Sequence, residues 1–152
     1  MTRCRTFVML AVIWLGLIPA AGAESLFMAR SSQAFPETMT VLQEVIARHG
    51  YTVSRVQRVD IGLTGSGFQT DMYRLVFFAK PDELRDLSQR YPHLIPYLPW
   101  PITIFAEGEE TLLVTANPAE LRALAVNDEL EQLFQRWSGE FRAMLEEVRK
   151  RD

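Results

Sequence analysis

Four prolines fall within ten residues, Pro92, Pro96, Pro99 and Pro101, in the stretch YPHLIPYLPWPITIF that runs from Tyr91 to Phe105. Each fixes φ near about −65° and withdraws a backbone donor. The strand that starts at its end is expected to begin at a sheet edge or outside the hydrogen-bonded ladder. The aromatic and branched residues between the prolines leave two readings. The stretch is either a stiff connector with Tyr97 and Trp100 turned inward, or a contact platform presenting Tyr91, His93, Tyr97 and Trp100.

The first residues, MTRCRTFVMLAVIWLGLIPAAGA, join Arg3 and Arg5 to an apolar run from Phe7 to Ile18, followed by Pro19 and the small residues Ala21, Gly22 and Ala23. That is the n-region, h-region and cleavage-site pattern of a secretory leader. The run is shorter than the ~20 residues of a membrane span. Cleavage near Ala23 is therefore expected, giving a mature chain that starts at Glu24, has no membrane span and is periplasmic or secreted. Cys4, the one cysteine, precedes the apolar run and leaves with it. Disulfides, thiol nucleophiles and thiolate metal sites are thereby excluded from the mature chain, which must be held by its core alone. Without Arg3 and Arg5, 14 basic residues face 19 acidic ones, a net charge of −5. A nucleic-acid partner, which calls for a basic stripe, is excluded on that sign.

Periodicity supplies the elements. Ser25–Ser31 reads as a strand, and Phe35, Met39, Leu42, Val45 and Ile46 recur at helical spacing between Pro36 and Gly50. TVSRVQRVDIGL, from Thr52 to Leu63, is β-branched but slips phase, which predicts a bulge between Arg55 and Arg58 or two short strands. TGSG, Thr64–Gly67, reads as a flexible connection, Asp71–Ala79 as a buried strand and KPDELRDLSQRY as a short helix. WPITIFAEGEETLLVTANP reads as a hairpin turning at Glu107–Glu110. From Asn127 or Asp128 a long amphipathic helix runs about 36 Å, and part of it is expected to project. The order βαββαββα indicates α+β: a mainly antiparallel sheet with helices on one face, plus a long C-terminal helix. Residues 1–23 are then the leader, 24–126 the domain and 127–152 the added helix.

Several segments together resemble one family: the helix ending His49-Gly50-Tyr51-Thr52-Val53, then Arg58-Val59-Asp60, Tyr73-Arg74-Leu75-Val76-Phe77-Phe78, Tyr97-Leu98-Pro99 before Ile102-Thr103-Ile104-Phe105, and Asn117-Pro118. This pattern, over roughly Leu26 to Leu121, is similar to the domain of unknown function family 302. The resemblance implies a two-layer α+β sandwich, sometimes exported and prone to pair with itself. It implies no catalytic residues, and the C-terminal helix lies beyond the part that carries it.

Chemistry is sparse. His49 closes a helix, where a cation complements the dipole, and His93 has no partner at metal-ligand spacing. No metal or cofactor is expected. Ser66 in TGSGF only echoes a nucleophile elbow, and the glycines lack a phosphate loop's strand-to-helix context. Asp60, between Val59 and Ile61, reads as part of an exposed cross-strand ion pair with Arg58 on its own side, or as an acid/base or anion-holding group with Tyr73 or Arg74. In the last helix Leu130, Phe134, Trp137, Phe141, Met144 and Val148 form a heptad seam, widened by Leu133 and Leu145. It either packs on the chain's own sheet or, through Phe134, Trp137, Phe141 and Met144, meets a second copy, with Gly139 allowing close approach. The sequence thus points to an exported binding or accessory protein that self-associates and takes an unspecified small ligand. Two alternatives stand beside it: a small enzyme built on Asp60, and a structural or chaperone-like partner of another periplasmic protein.

Overall fold

Helix α1 (Phe35–Arg48) starts where Pro36 suits the first turn and ends where Gly50 takes φ +77°, a backbone that favours glycine. The Tyr51 amide then donates to the Ile46 carbonyl at 3.1 Å and closes the helix. These elements belong to a computed structural model that describes residues 24–151; the expected leader, residues 1–23, lies outside them. Among the described residues no helix is long and apolar enough to cross a membrane.

Around α1 the chain runs β1 (Leu26–Ser31), β2 (Thr52–Arg58), α2 (Val59–Gly65), β3 (Tyr73–Ala79) and α3 (Pro81–Arg90). A 3-10 helix (Pro92–Tyr97), β4 (Trp100–Glu107), β5 (Glu110–Ala116), a second 3-10 helix (Pro118–Leu124) and α4 (Asp128–Arg149) complete it. The five strands form one antiparallel sheet in the order β1-β5-β4-β3-β2. α1 and α4 pack together and against the sheet. The fold is α+β.

Three segments differ from expectation. Val59–Gly65 is helical, so Asp60 does not interrupt a strand. The β2–β3 ladder ends at Arg58–Arg74, and a chain with no further strand partner satisfies its backbone groups internally by coiling. The β2 register shift falls between Val53 and Arg55, just upstream of the predicted bulge. Finally, β4 is the middle strand despite its prolines. Trp100 and Pro101 are in register with Phe78 and Phe77 of β3, but the ladder to β5 begins only at Thr103. Pro101 therefore stands outside the ladder on the β5 side, where its carbonyl accepts from Thr115 Oγ1 at 2.8 Å.

α4 is capped by Asn127, whose side chain accepts from the Leu130 amide at 3.0 Å. Leu130, Phe134, Trp137, Phe141, Met144, Leu145 and Val148 are each at most 3% exposed. The buried stripe spans nearly the whole helix, so no part of it projects. Its rings interlock edge-on with the sheet: Phe141 lies 5.0 Å from Phe78, 5.4 Å from Trp100 and 6.1 Å from Tyr51. Such pairs add about 0.5–1.5 kcal/mol each beyond the burial itself. Phe141→Ala should lower unfolding free energy by about 3–5 kcal/mol in urea titrations. Gly139, by contrast, is exposed, and a Cβ there would meet nothing within 4 Å. Gly139→Ala should raise stability by up to about 1 kcal/mol in the same titrations.

Candidate binding surfaces

Asp60 sits in the first turn of α2 and forms an ion pair with Arg74 of β3, the two side chains being 13% and 12% exposed. Arg74 also donates to the Tyr73 carbonyl and lies 5.6 Å from the centre of the Phe35 ring. The hydrogen bond from Arg74 holds the Asp60 carboxyl below the usual carboxylate range, against the opposing effect of desolvation. The expected exposed cross-strand ion pair is thus replaced by a largely covered pairing with Arg74. The Tyr73 ring packs edge-on against Phe105, 5.8 Å away, so Tyr73 gives Asp60 a backbone neighbour and its side chain lies elsewhere. A carboxylate clamped this way is a weak base, and its evident role is to tie α2 to the sheet.

The four residues of the proline stretch differ in burial, although the Tyr91 and His93 rings meet edge-on at 6.2 Å. Trp100 is 4% and Tyr91 7% exposed, whereas Tyr97 is 43% exposed. The Tyr91 hydroxyl accepts from Asn127 Nδ2 and Arg90 at 3.0 Å and donates to Glu129 at 3.1 Å, fastening the stretch to the start of α4. His93 donates from Nε2 to the Leu124 carbonyl at 3.1 Å. Of the four, Trp100 lines a cleft beside the core. On α4, Phe134, Trp137, Phe141 and Met144 are filled by the protein's own core. This corrects the expectation that they meet a second copy.

Beside that core lies a polar cluster built from residues far apart in sequence. Glu140 of α4 accepts from the Tyr51 hydroxyl, from Lys80 Nζ at 3.1 and 3.3 Å, and from Arg136 at 3.0 and 3.2 Å. Arg136 also pairs with Glu83 of α3, which accepts from Trp137 Nε1 at 2.8 Å. Burial pushes the Glu140 carboxyl up, but its bonds from Tyr51, Lys80 and Arg136 outweigh that and hold it below the usual range. Burial first, then the bond to Glu140, pushes the Tyr51 phenol well above its ordinary value. The cluster rims a cleft whose other walls are Ala79, Leu84, Leu87, Leu98, Trp100 and Trp137. Sequence reasoning missed Tyr51, Lys80, Glu83 and Glu140. Only Glu83, in the first turn of a predicted helix, carried any local signal.

The second face of the sheet contrasts with the helix-covered one. Along β4, Trp100, Ile102, Ile104 and Ala106 are buried while Pro101, Thr103 and Phe105 are partly exposed. Register extends this accessible row: Met28, Val114, Thr103 and Leu75 align across four strands, and Leu112, Phe105 and Tyr73 across three. Leu26 is 49% and Met28 54% exposed. Arg30, the cation at the β1 edge of this face, is neutralised by Glu107, 2.8 Å away. The surface is therefore broad, apolar and free of uncompensated charge at its centre.

A sheet closed on one face by α1 and α4 and open on the other defines a two-layer α+β sandwich. The chain belongs to the family described as domain of unknown function DUF302, whose model matches residues 27–149 and so takes in α4. Among solved structures, the uncharacterized conserved DUF302 protein of Bacillus stearothermophilus is similar at 18% identity with a TM-score of 0.74. The match covers 84% of this chain and 100% of that one, and it bears on fold alone. Among curated proteins, none matches.

The electrostatics make a pH prediction. A carboxyl held below its ordinary value when folded adds stability above that value, and the contribution fades as pH falls through the folded pKa. Glu140→Gln should therefore lower the urea midpoint near about pH 7 and leave a shallower acid decline than the unsubstituted protein shows. Parallel titrations at neutral and acid pH measure the difference.

Proposed function

We propose that this chain is an exported accessory protein that acts by binding, and that it pairs with a second copy through the open face of its sheet. The observation that carries this reading is the apolar, charge-compensated row Met28, Val114, Thr103 and Leu75 on a face that α1 and α4 leave accessible. Five strands at about 4.8 Å spacing and about 20–25 Å length offer a flat footprint of about 500 Å² per copy. A pair would bury about 1,000 Å², at the lower bound of specific interfaces, so the association is expected to be reversible. The centre of the face can oppose itself because Arg30 is already paired within each copy and Arg55, in register with Phe77, lies out at the β2 edge strand. α4 supplies no competing interface, since its aromatic seam is buried at home.

Light scattering over micromolar to millimolar concentration tests the pairing. The exported protein should shift from monomer to dimer, and Val114→Arg should hold it monomeric at every concentration while leaving its unfolding midpoint nearly unchanged. A monomer throughout, or a dimer indifferent to Val114→Arg, would falsify the sheet-face interface. Export is tested separately by the intact mass of the protein recovered from its producing cells, expected to begin at Glu24. A mass that retains the first 23 residues would remove the exported reading.

A further inference from the structure

Trp100 occupies an unusual position. Its Nε1 is the only buried side-chain polar atom without a hydrogen-bond partner among the described residues, and the residue lines the cleft beside Tyr51, Lys80 and Glu83. A buried donor left unpaired costs about 1–3 kcal/mol, so such groups in a native fold call for an explanation. The neighbouring indole shows the alternative: Trp137 donates to Glu83 at 2.8 Å. The two rings meet edge-on at 5.6 Å, one satisfied and one not.

We infer that this cleft is a binding site for a small neutral molecule, apolar over most of its surface and carrying one hydrogen-bond-accepting oxygen that pairs with Trp100 Nε1. The chemistry of the walls sets the class. Ala79, Leu84, Leu87 and Leu98 offer apolar contact, and Lys80 Nζ, 4.5 Å from the centre of the Tyr51 ring, is a second donor at the rim. Charge is already balanced there, with Lys80 and Arg136 against Glu83 and Glu140, all four tied into one network. An anionic ligand would add a partly desolvated and uncompensated charge, whereas a carbonyl, ether or alcohol oxygen adds none. Size restricts the class further. Only about 10 Å³ lies clear of the walls, room for about one water, so a ligand enters by moving the half-buried Leu84 and Leu98. The site lies on the helix side of the sheet and is independent of the open-face pairing.

The test follows the indole N–H resonances of the 15N-labelled exported protein during titration with cyclopentanone, cyclopentane and cyclopentanecarboxylate. The Trp100 signal should move saturably with cyclopentanone in the millimolar range, at least tenfold more tightly than with cyclopentanecarboxylate, and should stay still with cyclopentane. Trp100→Phe, which keeps a ring and removes the donor, should weaken cyclopentanone binding at least tenfold by calorimetry. Leu84→Trp, at a half-buried wall position that tolerates a larger side chain, should block it. The inference is overturned if no saturable shift appears, if the anion binds as well as the ketone, or if Leu84→Trp leaves the shift intact.

Discussion

The structure depends on the burial of α4 against the sheet. The described residues contain no cysteine and have only their core to hold them, and α4 supplies seven of the buried core residues from one helix face. At about 1.5–3 kcal/mol for each large apolar side chain removed from water, that face is a major part of the favourable free energy. The helix does more than cover. Phe141 and Trp137 set the aromatic cluster with Tyr51, Phe78 and Trp100, and Glu140 of the same helix gathers Tyr51, Lys80 and Arg136 at the cluster's edge. Packing and charge thus fix α3, α4 and the ends of β2 and β3 relative to one another.

One consequence concerns function. Because α1 and α4 cover a single face, the same strands that bury Ile102 and Ile104 present Thr103 and Phe105 outward. The alternation of one strand builds both a core and a surface, and the surface is too apolar to be explained by solubility. On the closed side, the junction of α3, α4 and β4 leaves a narrow cleft lined by Trp100, the one buried indole among the described residues whose donor lacks an acceptor. The two proposed binding surfaces, of different character, both follow from one two-layer arrangement.

Much of this architecture was readable in the residues. α1 declared itself through apolar spacing between Pro36 and Gly50, and α4 through its heptad stripe and Asn127 cap. The β4–β5 hairpin was marked by alternation around an acidic turn, with Gly108 at φ +67°. What failed did so for tertiary reasons. Val59 and Ile61 look like strand residues, but β3 offers no partner past Arg74, and the segment coils. Pro99 and Pro101 argue for an edge, yet the middle strand accommodates them because its first residues are bonded on one side only. The heptad seam identified the right side chains, while the choice between own sheet and second copy depended on contacts that periodicity does not encode. The cleft was invisible: Tyr51, Lys80 and Glu140 lie 60 to 89 residues apart in their pairings and meet only after folding.

The central claim is that α4 is a layer of the domain rather than an appendage to it. Circular dichroism and thermal unfolding of residues 24–127, which lack α4, test this most directly. The account predicts a chain with no cooperative transition and no near-ultraviolet aromatic signal, since the sheet would lose the cover over Phe78 and Trp100. A truncated chain that unfolds cooperatively with a midpoint close to that of the full domain would contradict it.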